Sequence, residues 1–236
     1  MNSASLSGIR ACVFDAYGTL FDVASATARS ADIPGPEAAR LTALWRDKQL
    51  QYTWLRALEG KHADFWQVTR DALDFALETL GIGNTGLRQR LMNLYLTLSL
   101  YPEVLQTLRR LRDSGVAIAI LSNGSPAMLA AAVEAAGLEV LLDAVMSVEE
   151  VGVYKPHPKV YQLAVDRFGV PAQEIAFVSS NGWDAYAASA FGMRTIWCNR
   201  QGQPRERLPG APEREIPTLA ELPTFIAAGA NPRAPR

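Results

Sequence analysis

The sequence has few cysteines, no long apolar run and almost no net charge. Cys12 and Cys198 lie in apolar runs, which predicts buried free thiols rather than a disulfide framework. The net charge of -1 shows no basic surplus that would indicate nucleic acid or a membrane surface as a partner. No apolar stretch approaches the ~20 residues of a membrane helix, and residues 1–10 lack the pattern of a signal peptide. We therefore expect a cytoplasmic protein.

The composition and the apolar pattern predict an α/β fold. Of the 236 residues, 49% are hydrophobic and 20% charged, which allows one core and a small second lobe. Five short apolar runs are continuous rather than alternating, as expected for strands covered on both faces. Strands that alternate with helices favour a doubly wound parallel sheet. The predicted strands span 11–14, 116–121, 144–148, 175–178 and 194–198, and the accompanying helices 103–113, 125–136, 158–168 and 184–191.

The segment between the first two predicted strands interrupts this alternation. It has helical patterns over 37–58, 64–80 and 87–99, joined by glycine-containing turns. An all-helical insert of this size is too large for one crossover helix, so we predict a separate lobe over the sheet. The predicted division is a core over 1–20 and 100–226, a helical cap over 21–99 and a frayed tail over 227–236.

Polar side chains follow four of the five predicted strands. In parallel sheets, ligands bind at the carboxyl ends of the strands. One such residue alone has a simpler interpretation, as a solvated loop side chain or a helix cap. Four sets at one sheet edge instead predict a functional crevice. The residues are Asp15, Ser122, Asn123, Lys155, Ser179, Ser180, Asn181 and Asp184.

The segment Asp15-Ala-Tyr-Gly-Thr-Leu20 places a carboxylate directly after a hydrophobic strand. Gly18 can take the positive φ that a tight loop needs, and Thr19 can orient the carboxylate. This segment resembles the first motif of the haloacid dehalogenase superfamily, whose aspartate is a covalent nucleophile and whose core is Rossmann-like. Ser122-Asn-Gly124, Lys155-Pro156 and the segment 179–184 resemble the other three motifs, in the same order along the chain.

Two departures from the superfamily pattern bear on the chemistry. In the magnesium-dependent phosphatases of the superfamily, a second aspartate stands two residues after the nucleophile, where this chain has Tyr17. The fourth motif of those phosphatases opens with Gly-Asp, whereas Ser179-Ser180 stands here. Magnesium usually binds more than one carboxylate plus phosphate oxygens. We therefore expect no metal and no other cofactor.

A stretch of the predicted cap narrows the family. The segment 44–56, LWRDKQLQYTWLR, resembles a stretch that is characteristic of the L-2-haloacid dehalogenases, and so does Asn-Gly-Trp-Asp184. An isolated arginine on a helix usually pairs with a neighbouring acid at the surface, but this resemblance favours a catalytic Arg46. Asp47 stands where several relatives have glutamine; its carboxylate either weakens anion binding by Arg46 or points to solvent.

The resemblance implies that Asp15 attacks a small 2-halo carboxylic acid and forms an ester, which water then hydrolyses to a D-2-hydroxy acid. Lys155, Ser122 and Thr19 would offset the repulsion between nucleophile and substrate carboxylate, since both are anions. Arg46 and Asn123 would stabilise the leaving halide ion. The remaining expected roles are the water-activating base Asp184 with Ser179 and Asn181, the site-holding Tyr161, and an apolar wall of Tyr17, Leu50, Phe65 and Trp183.

Two other functions remain open from the sequence. One is a phosphatase or phosphonate hydrolase of the same superfamily, against which Tyr17 and Ser180 argue. The other is a catalytically silent receptor for small acids, which the joint presence of Asp15, Ser122, Lys155 and Asp184 disfavours. The sequence does not indicate the preferred halogen, activity on fluoroacetate or the physiological substrate. Relatives are often dimers, so we expect a homodimer.

Overall fold

The computed structural model of the protein describes residues 6–30, 33, 35–83 and 85–228. A six-stranded sheet with only parallel pairings forms its centre, and a separate two-stranded parallel pair lies outside it. The strands in chain order are β1 (Leu6–Ile9), β2 (Ala11–Phe14), β3 (Ala117–Ser122), β4 (Ala144–Ser147), β5 (Ile175–Ser179), β6 (Arg194–Cys198), β7 (Arg214–Ile216) and β8 (Ile226–Ala228).

The strand order of the large sheet, β4-β3-β2-β5-β6-β7, places the crevice of the fold. The chain runs outward from β2 to β3 and β4, then returns to the other side of β2 with β5. Ligand sites of open parallel sheets lie where the strand order reverses in this way, outside the carboxyl ends of the strands. Phe14, the last residue of β2, is level with Ile120 of β3 and Val178 of β5. The residues that follow these strands therefore meet at one edge.

Four helices pack with the sheet, and sequence signals account for their ends. They are α5 (Val104–Asp113), α6 (Pro126–Ala136), α7 (Pro158–Phe168) and α8 (Gly182–Phe191). Helices α1 to α4 come earlier in the chain and form the insert. The Ser125 side chain caps α6 by accepting a hydrogen bond from the Met128 N–H at 3.4 Å. Gly137 ends α6 with a φ of 63°, which a residue without Cβ adopts readily.

The insert after β2 is helical, as the sequence predicts. It contains α1 (Ser25–Ala28), α2 (Gly35–Glu59), α3 (Phe65–Leu80) and α4 (Thr85–Tyr95). Helices α2 and α3 pack on each other, and the indole of Trp45 in α2 donates a 2.8 Å hydrogen bond to the Thr69 carbonyl of α3. The α/β fold with a doubly wound parallel core and a helical cap is thereby confirmed.

Three strands were not predicted, and one of them corrects a sequence-based boundary. The tail was predicted to begin at residue 227, but Ala227 and Ala228 belong to β8, which pairs with β1. The rest of that segment, 229–236, lies outside the described residues. The predicted helix over 87–99 also ends early, because α4 stops at Tyr95. Within the described residues, no helix combines the length and hydropathy needed to cross a bilayer.

Candidate active site

Asp15 is the first residue after β2 and lies at the centre of the crevice, with 6% of its surface exposed. Its backbone N–H donates to the Val178 carbonyl of β5 at 2.9 Å, which fixes the start of the loop. Gly18 turns that loop with a φ of 89°, a backbone conformation that residues with a Cβ rarely adopt. The turn brings Thr19 back, so that its hydroxyl donates to Asp15 Oδ2 at 3.1 Å.

The Asp15 carboxylate accepts hydrogen bonds from two further motifs. Lys155 Nζ lies 3.1 Å from Oδ1, and Asn181 Nδ2 donates to Oδ2 at 2.7 Å. The Thr19 hydroxyl also accepts from the Ser180 N–H at 2.8 Å, which ties the first loop to the loop after β5. Lys155 and Asn181, which lie 140 and 166 positions after Asp15 in sequence, thus hold its carboxylate.

Lys155 joins two buried carboxylates. Its ammonium lies 2.8 Å from Asp184 Oδ2, and the Lys155 side chain is 1% exposed. Burial alone would lower the pKa of Lys155, but the negative charges of Asp15 and Asp184 raise it above its usual value. The lysine is therefore cationic at neutral pH. Its backbone N–H donates to Asn123 Oδ1 at 3.0 Å, so the third motif is fastened to the second.

Asp184, in the first turn of α8, is fully buried. Burial raises the pKa of the Asp184 carboxyl above its usual value, although Lys155 acts in the opposite direction. The Tyr161 hydroxyl of α7 donates to Asp184 Oδ1 at 2.7 Å. Burial raises the pKa of Tyr161 well above its usual value, so this hydroxyl keeps its proton. Asp184 is a carboxylate with a raised pKa that is held in one orientation, which suits a general base.

Ser122 and Ser179 are buried at the ends of β3 and β5. Each hydroxyl oxygen accepts a hydrogen bond from the backbone N–H two residues further on: Ser122 from Gly124 and Ser179 from Asn181, both at 3.1 Å. The structure therefore places both serines where they shape the loops that carry Asn123 and Asn181.

Arg46 of α2 reaches from the cap to the core. Its Nη2 lies 3.3 Å from Asn181 Oδ1 and 3.4 Å from the Tyr17 carbonyl oxygen. Asn181 thereby contacts both Arg46 and Asp15, so the arginine lies one side chain away from the candidate nucleophile. Asp47 is exposed, which answers the question about its carboxylate: it points to solvent.

The four residues expected to form an apolar wall do not all contact one another. They are Tyr17, Phe65, Trp183 and Leu50. The Tyr17 ring packs against Phe65 with centroids 5.7 Å apart. Trp183 instead packs edge-on against Trp54 of α2, at 5.4 Å. Leu50 is half-buried on α2.

Sequence reasoning missed a buried polar cluster beside Arg46. Gln49 accepts a 2.7 Å hydrogen bond from Arg46 Nη1 and contacts the side chains of Thr69 and Tyr95. The spacing of three residues between Arg46 and Gln49 places them on the same helix face and was an available signal. Nothing in the sequence pattern points to Thr69 and Tyr95, which come from other helices.

The arrangement does not fit a resident magnesium ion. The two carboxylates of the crevice, Asp15 and Asp184, are bridged by the Lys155 ammonium rather than turned toward a shared cation. Tyr17 and Ser180 supply no further carboxylate. Across residues 6–30, 33, 35–83 and 85–228, no group of three or more His, Cys, Asp or Glu side chains is arranged to hold a metal.

Comparison with known proteins identifies the family. The model of the haloacid dehalogenase-like hydrolases matches residues 9–192. The (S)-2-haloacid dehalogenase 4A of Burkholderia cepacia is 47% identical over 94% of this chain and 96% of its own. A solved dehalogenase with an intermediate complex is 47% identical, with a TM-score of 0.90 over 93% of this chain and 98% of that one.

A further solved structure contains a covalent adduct. The L-2-haloacid dehalogenase from Xanthobacter autotrophicus with chloropropionic acid covalently bound is 40% identical to this chain, and its TM-score is 0.84. The match covers 91% of this chain and 97% of that structure. These similarities extend over the core and the helical cap. The chain therefore belongs to the haloacid dehalogenase-like hydrolase family, within the group of the (S)-2-haloacid dehalogenases.

Proposed function

We propose that the protein hydrolyses small L-2-halo carboxylic acids to D-2-hydroxy acids and halide, through an ester on Asp15 and without a metal ion. The observation that carries this proposal is the buried ammonium of Lys155, 3.1 Å from Asp15 and 2.8 Å from Asp184. It stabilises an ionised nucleophile where water is largely excluded. The substrate class follows from the names of relatives that match nearly the whole chain.

Asp15 is the proposed nucleophile. In the part of the chain that the structure describes, its carboxylate accepts hydrogen bonds from Lys155, Thr19 and Asn181. An ionised carboxylate offers about four acceptor positions, so about one lone pair remains for attack on the 2-carbon. That pair forms the carbon–oxygen bond, and the pair of the carbon–halogen bond departs with the halide.

Arg46 and Asn123 are the proposed partners of the leaving halide. In an in-line substitution the halide departs on the side opposite the attacking oxygen, where negative charge develops. The Arg46 guanidinium contacts Asn181, which itself contacts Asp15, so it is within one side chain of the reacting centre. Asn123 uses its amide oxygen to accept from the Lys155 N–H, which makes its NH₂ group the end that can donate to a halide.

Asp184 is the proposed base for ester hydrolysis. It takes a proton from a water that attacks the carboxyl carbon of the Asp15 ester. The bond between that carbon and the alcohol oxygen then breaks, and the departing oxygen takes up the proton to give the 2-hydroxy acid. The raised pKa of Asp184 favours acceptance of that proton, and Tyr161 and Lys155 fix the orientation of the carboxylate. Ser179 and Asn181 fix the loop after β5. Ser122 fixes the loop after β3, and Thr19 ties the loop after β2 to the loop after β5.

The stereochemical outcome follows from this order of steps. The first step inverts the 2-carbon, and the second breaks a bond at the Asp15 carboxyl group, so an L substrate gives a D product. Tyr17 and Phe65, whose rings pack together, are proposed to enclose the 2-alkyl group. Leu50, one turn after Arg46 on α2, and Trp183, directly before Asp184, are proposed to complete this wall. A single turnover in ¹⁸O-water should label Asp15 rather than the hydroxy acid; label in the product would contradict the ester.

The test of the whole proposal uses the two enantiomers of 2-chloropropionate separately, with excess EDTA, and measures free chloride over time. We expect chloride from the L form alone. The control is Asp15→Asn, assayed soon after purification and checked by mass for deamidation, which should release no chloride. If the protein releases no chloride but releases phosphate when magnesium is added, the alternative function as a phosphatase of the same superfamily replaces this proposal.

We also propose that residues 21–99 form a cap domain and that 1–20 with 100–228 form the core domain, which includes the whole of β8. The chain crosses from core to cap and back at two adjacent segments. There the Asp22 N–H donates to the Ser99 carbonyl at 2.8 Å, and the Tyr101 N–H donates to the Leu20 carbonyl at 3.1 Å. Two adjacent crossings form a narrow connection that can act as a hinge. Limited proteolysis is expected to cut near these crossings before it cuts within either domain.

A homodimer is proposed from the apolar surface. A groove of about 670 Å³ is lined by residues that include Trp54, Leu58, Tyr161 and Trp183, and Leu58 is 85% exposed. Exposed apolar surface of this kind is typical of subunit contacts. Sedimentation velocity should give twice the mass of 25.7 kDa.

A cytoplasmic location is proposed because Cys12 and Cys198 are buried free thiols, as in reducing compartments. Cell fractionation tests this location.

A further inference from the structure

Gln49 is the closest hydrogen-bond partner that the structure gives to Arg46. The two residues lie one turn apart on α2, and Arg46 Nη1 donates to Gln49 Oε1 at 2.7 Å. The contacts of Arg46 with the core are longer, at 3.3 Å to Asn181 and 3.4 Å to Tyr17. The position of the guanidinium therefore depends most directly on a side chain of its own helix.

The orientation of the Gln49 amide follows from the neighbouring hydroxyl of Thr69. That hydroxyl donates its single proton to the Phe65 carbonyl at 2.6 Å, as i and i−4 of α3. Toward Gln49 it can therefore act only as an acceptor, and Gln49 Nε2 donates to it at 2.8 Å. Because the NH₂ group faces Thr69, the amide oxygen faces Arg46. The hydrogen bonds form one directed chain from α2 to α3.

Tyr95 of α4 closes the cluster. Its hydroxyl lies 3.1 Å from Gln49 Nε2 and 3.2 Å from Gln49 Oε1. The Tyr95 ring stacks on Tyr17 at 5.4 Å with an interplanar angle of 28°, and it also contacts Trp45. Burial raises the pKa of Tyr95, so its hydroxyl stays neutral. Gln49 is 1% exposed, so its amide is enclosed by these side chains.

We propose that Gln49 is a positioning residue for the Arg46 guanidinium and that Thr69 sets the direction in which the Gln49 amide faces. This inference rests on the proposed function, in which Arg46 stabilises the departing halide. An arginine side chain has many rotamers, and a catalytic group that is displaced by about 1 Å can lose about 100-fold in rate. The cluster supplies the restraint from the cap side, before any substrate is bound.

The experiment compares three variants, Gln49→Met, Thr69→Val and, as the matched control, Thr79→Val. Thr79 lies on the same helix as Thr69 and makes the same kind of hydroxyl-to-carbonyl bond, to Phe75 at 2.8 Å, but it is exposed and remote from Gln49. For each variant, kcat and KM are measured with L-2-chloropropionate and L-2-bromopropionate. Thermal unfolding is followed in parallel to confirm that each protein is folded.

We expect Gln49→Met to lower kcat for the chloro acid about 10- to 100-fold, with little change in KM. The loss for the bromo acid should be smaller, because bromide is the better leaving group and needs less stabilisation. Thr69→Val should change the chloro-to-bromo ratio of kcat in the same direction, and Thr79→Val should leave it unchanged. If Gln49→Met does not fold, Thr69→Val alone decides, since valine has nearly the same shape as threonine.

Two outcomes would overturn the inference, and a third would overturn its basis. An equal loss for both halides, or unchanged kcat in both Gln49→Met and Thr69→Val, would show that the cluster is structural only. Arg46→Lys is measured alongside. If that variant also leaves both kcat values unchanged, the halide role of Arg46 in the proposed function is wrong. If it lowers kcat while the Gln49 and Thr69 variants do not, the positioning role alone is wrong.

Discussion

Replacement of Lys155 by methionine should destabilise the protein in a pH-dependent way. Lys155, Asp15 and Asp184 form a buried triad in which one ammonium faces two carboxylates at 3.1 and 2.8 Å. Methionine has a similar volume but no charge, so the variant keeps the packing and leaves two buried carboxylates without their counter-ion. Stability is the quantity to measure, since loss of activity alone would fit several roles of the lysine.

The magnitude follows from the distances and the burial. At an effective dielectric constant of about 20, a unit charge pair at the Lys155–Asp184 distance attracts by about 6 kcal/mol. Much of this attraction offsets the cost of burying the charges. Removal of one partner from a buried pair therefore costs about 3–5 kcal/mol, because the remaining charge is uncompensated. We expect a loss in this range at pH 8.

The pH dependence has a definite sign. The pKa of Asp184 is already raised in the folded protein, and Lys155 is a group that lowers it, so methionine raises it further. The folded variant then binds more protons than the unfolded chain, and its stability falls as pH rises through this window. The raised pKa of Lys155 keeps the wild-type ammonium charged over the same range. The loss should shrink at pH 5, by about 1.4 kcal/mol per pH unit for each extra proton bound.

The measurement is urea unfolding followed by circular dichroism at pH 5 and pH 8. Lys159→Met is the matched control, since Lys159 is exposed on α7 four residues later; it should change stability by less than about 0.5 kcal/mol. The double variant with Asp184→Asn should recover part of the loss at pH 8. A loss below about 1 kcal/mol at pH 8, or the same loss at both pH values, would refute the reasoning.

Three further predictions concern single residues. Tyr161→Phe removes a hydrogen bond that lowers the pKa of Asp184, so the acidic limb of the kcat profile should move to higher pH; an unmoved limb would remove Asp184 as the base. Gly124→Ala would bring a Cβ to 2.8 Å from Tyr17 Cε2, so denaturation should show a loss of about 1–3 kcal/mol; an unchanged stability would show that the Tyr17 ring is not fixed at this contact. Arg46→Lys keeps the charge but loses the planar fork, so chloride release should slow about tenfold or more; an unchanged rate would exclude Arg46 from halide stabilisation.

Local sequence patterns were sufficient for most of the core. Strands β2 to β6 are mostly apolar, as is typical of strands that helices cover on both faces, and this pattern is visible without knowledge of the pairing. Helix α6 has its capping serine and its terminal glycine in the sequence. Strands β1, β7 and β8 are three or four residues long, and β1 pairs with a strand about 220 residues away. That partner is β8, whereas β7 pairs with β6 at the edge of the large sheet. The strand conformation of all three depends on these pairings, so local patterns did not predict them.

The sequence by itself determined which polar residues follow the strands. Because parallel strands bring their carboxyl ends to one edge, it also determined that these residues meet there. Tertiary structure alone decided how they meet: Lys155 between Asp15 and Asp184, and Tyr161 on Asp184. It also decided that Asp47 faces solvent and that Gln49 contacts Thr69 and Tyr95. These contacts join side chains from separate helices and loops, so their geometry depends on packing between elements, which residue spacing along one element does not specify.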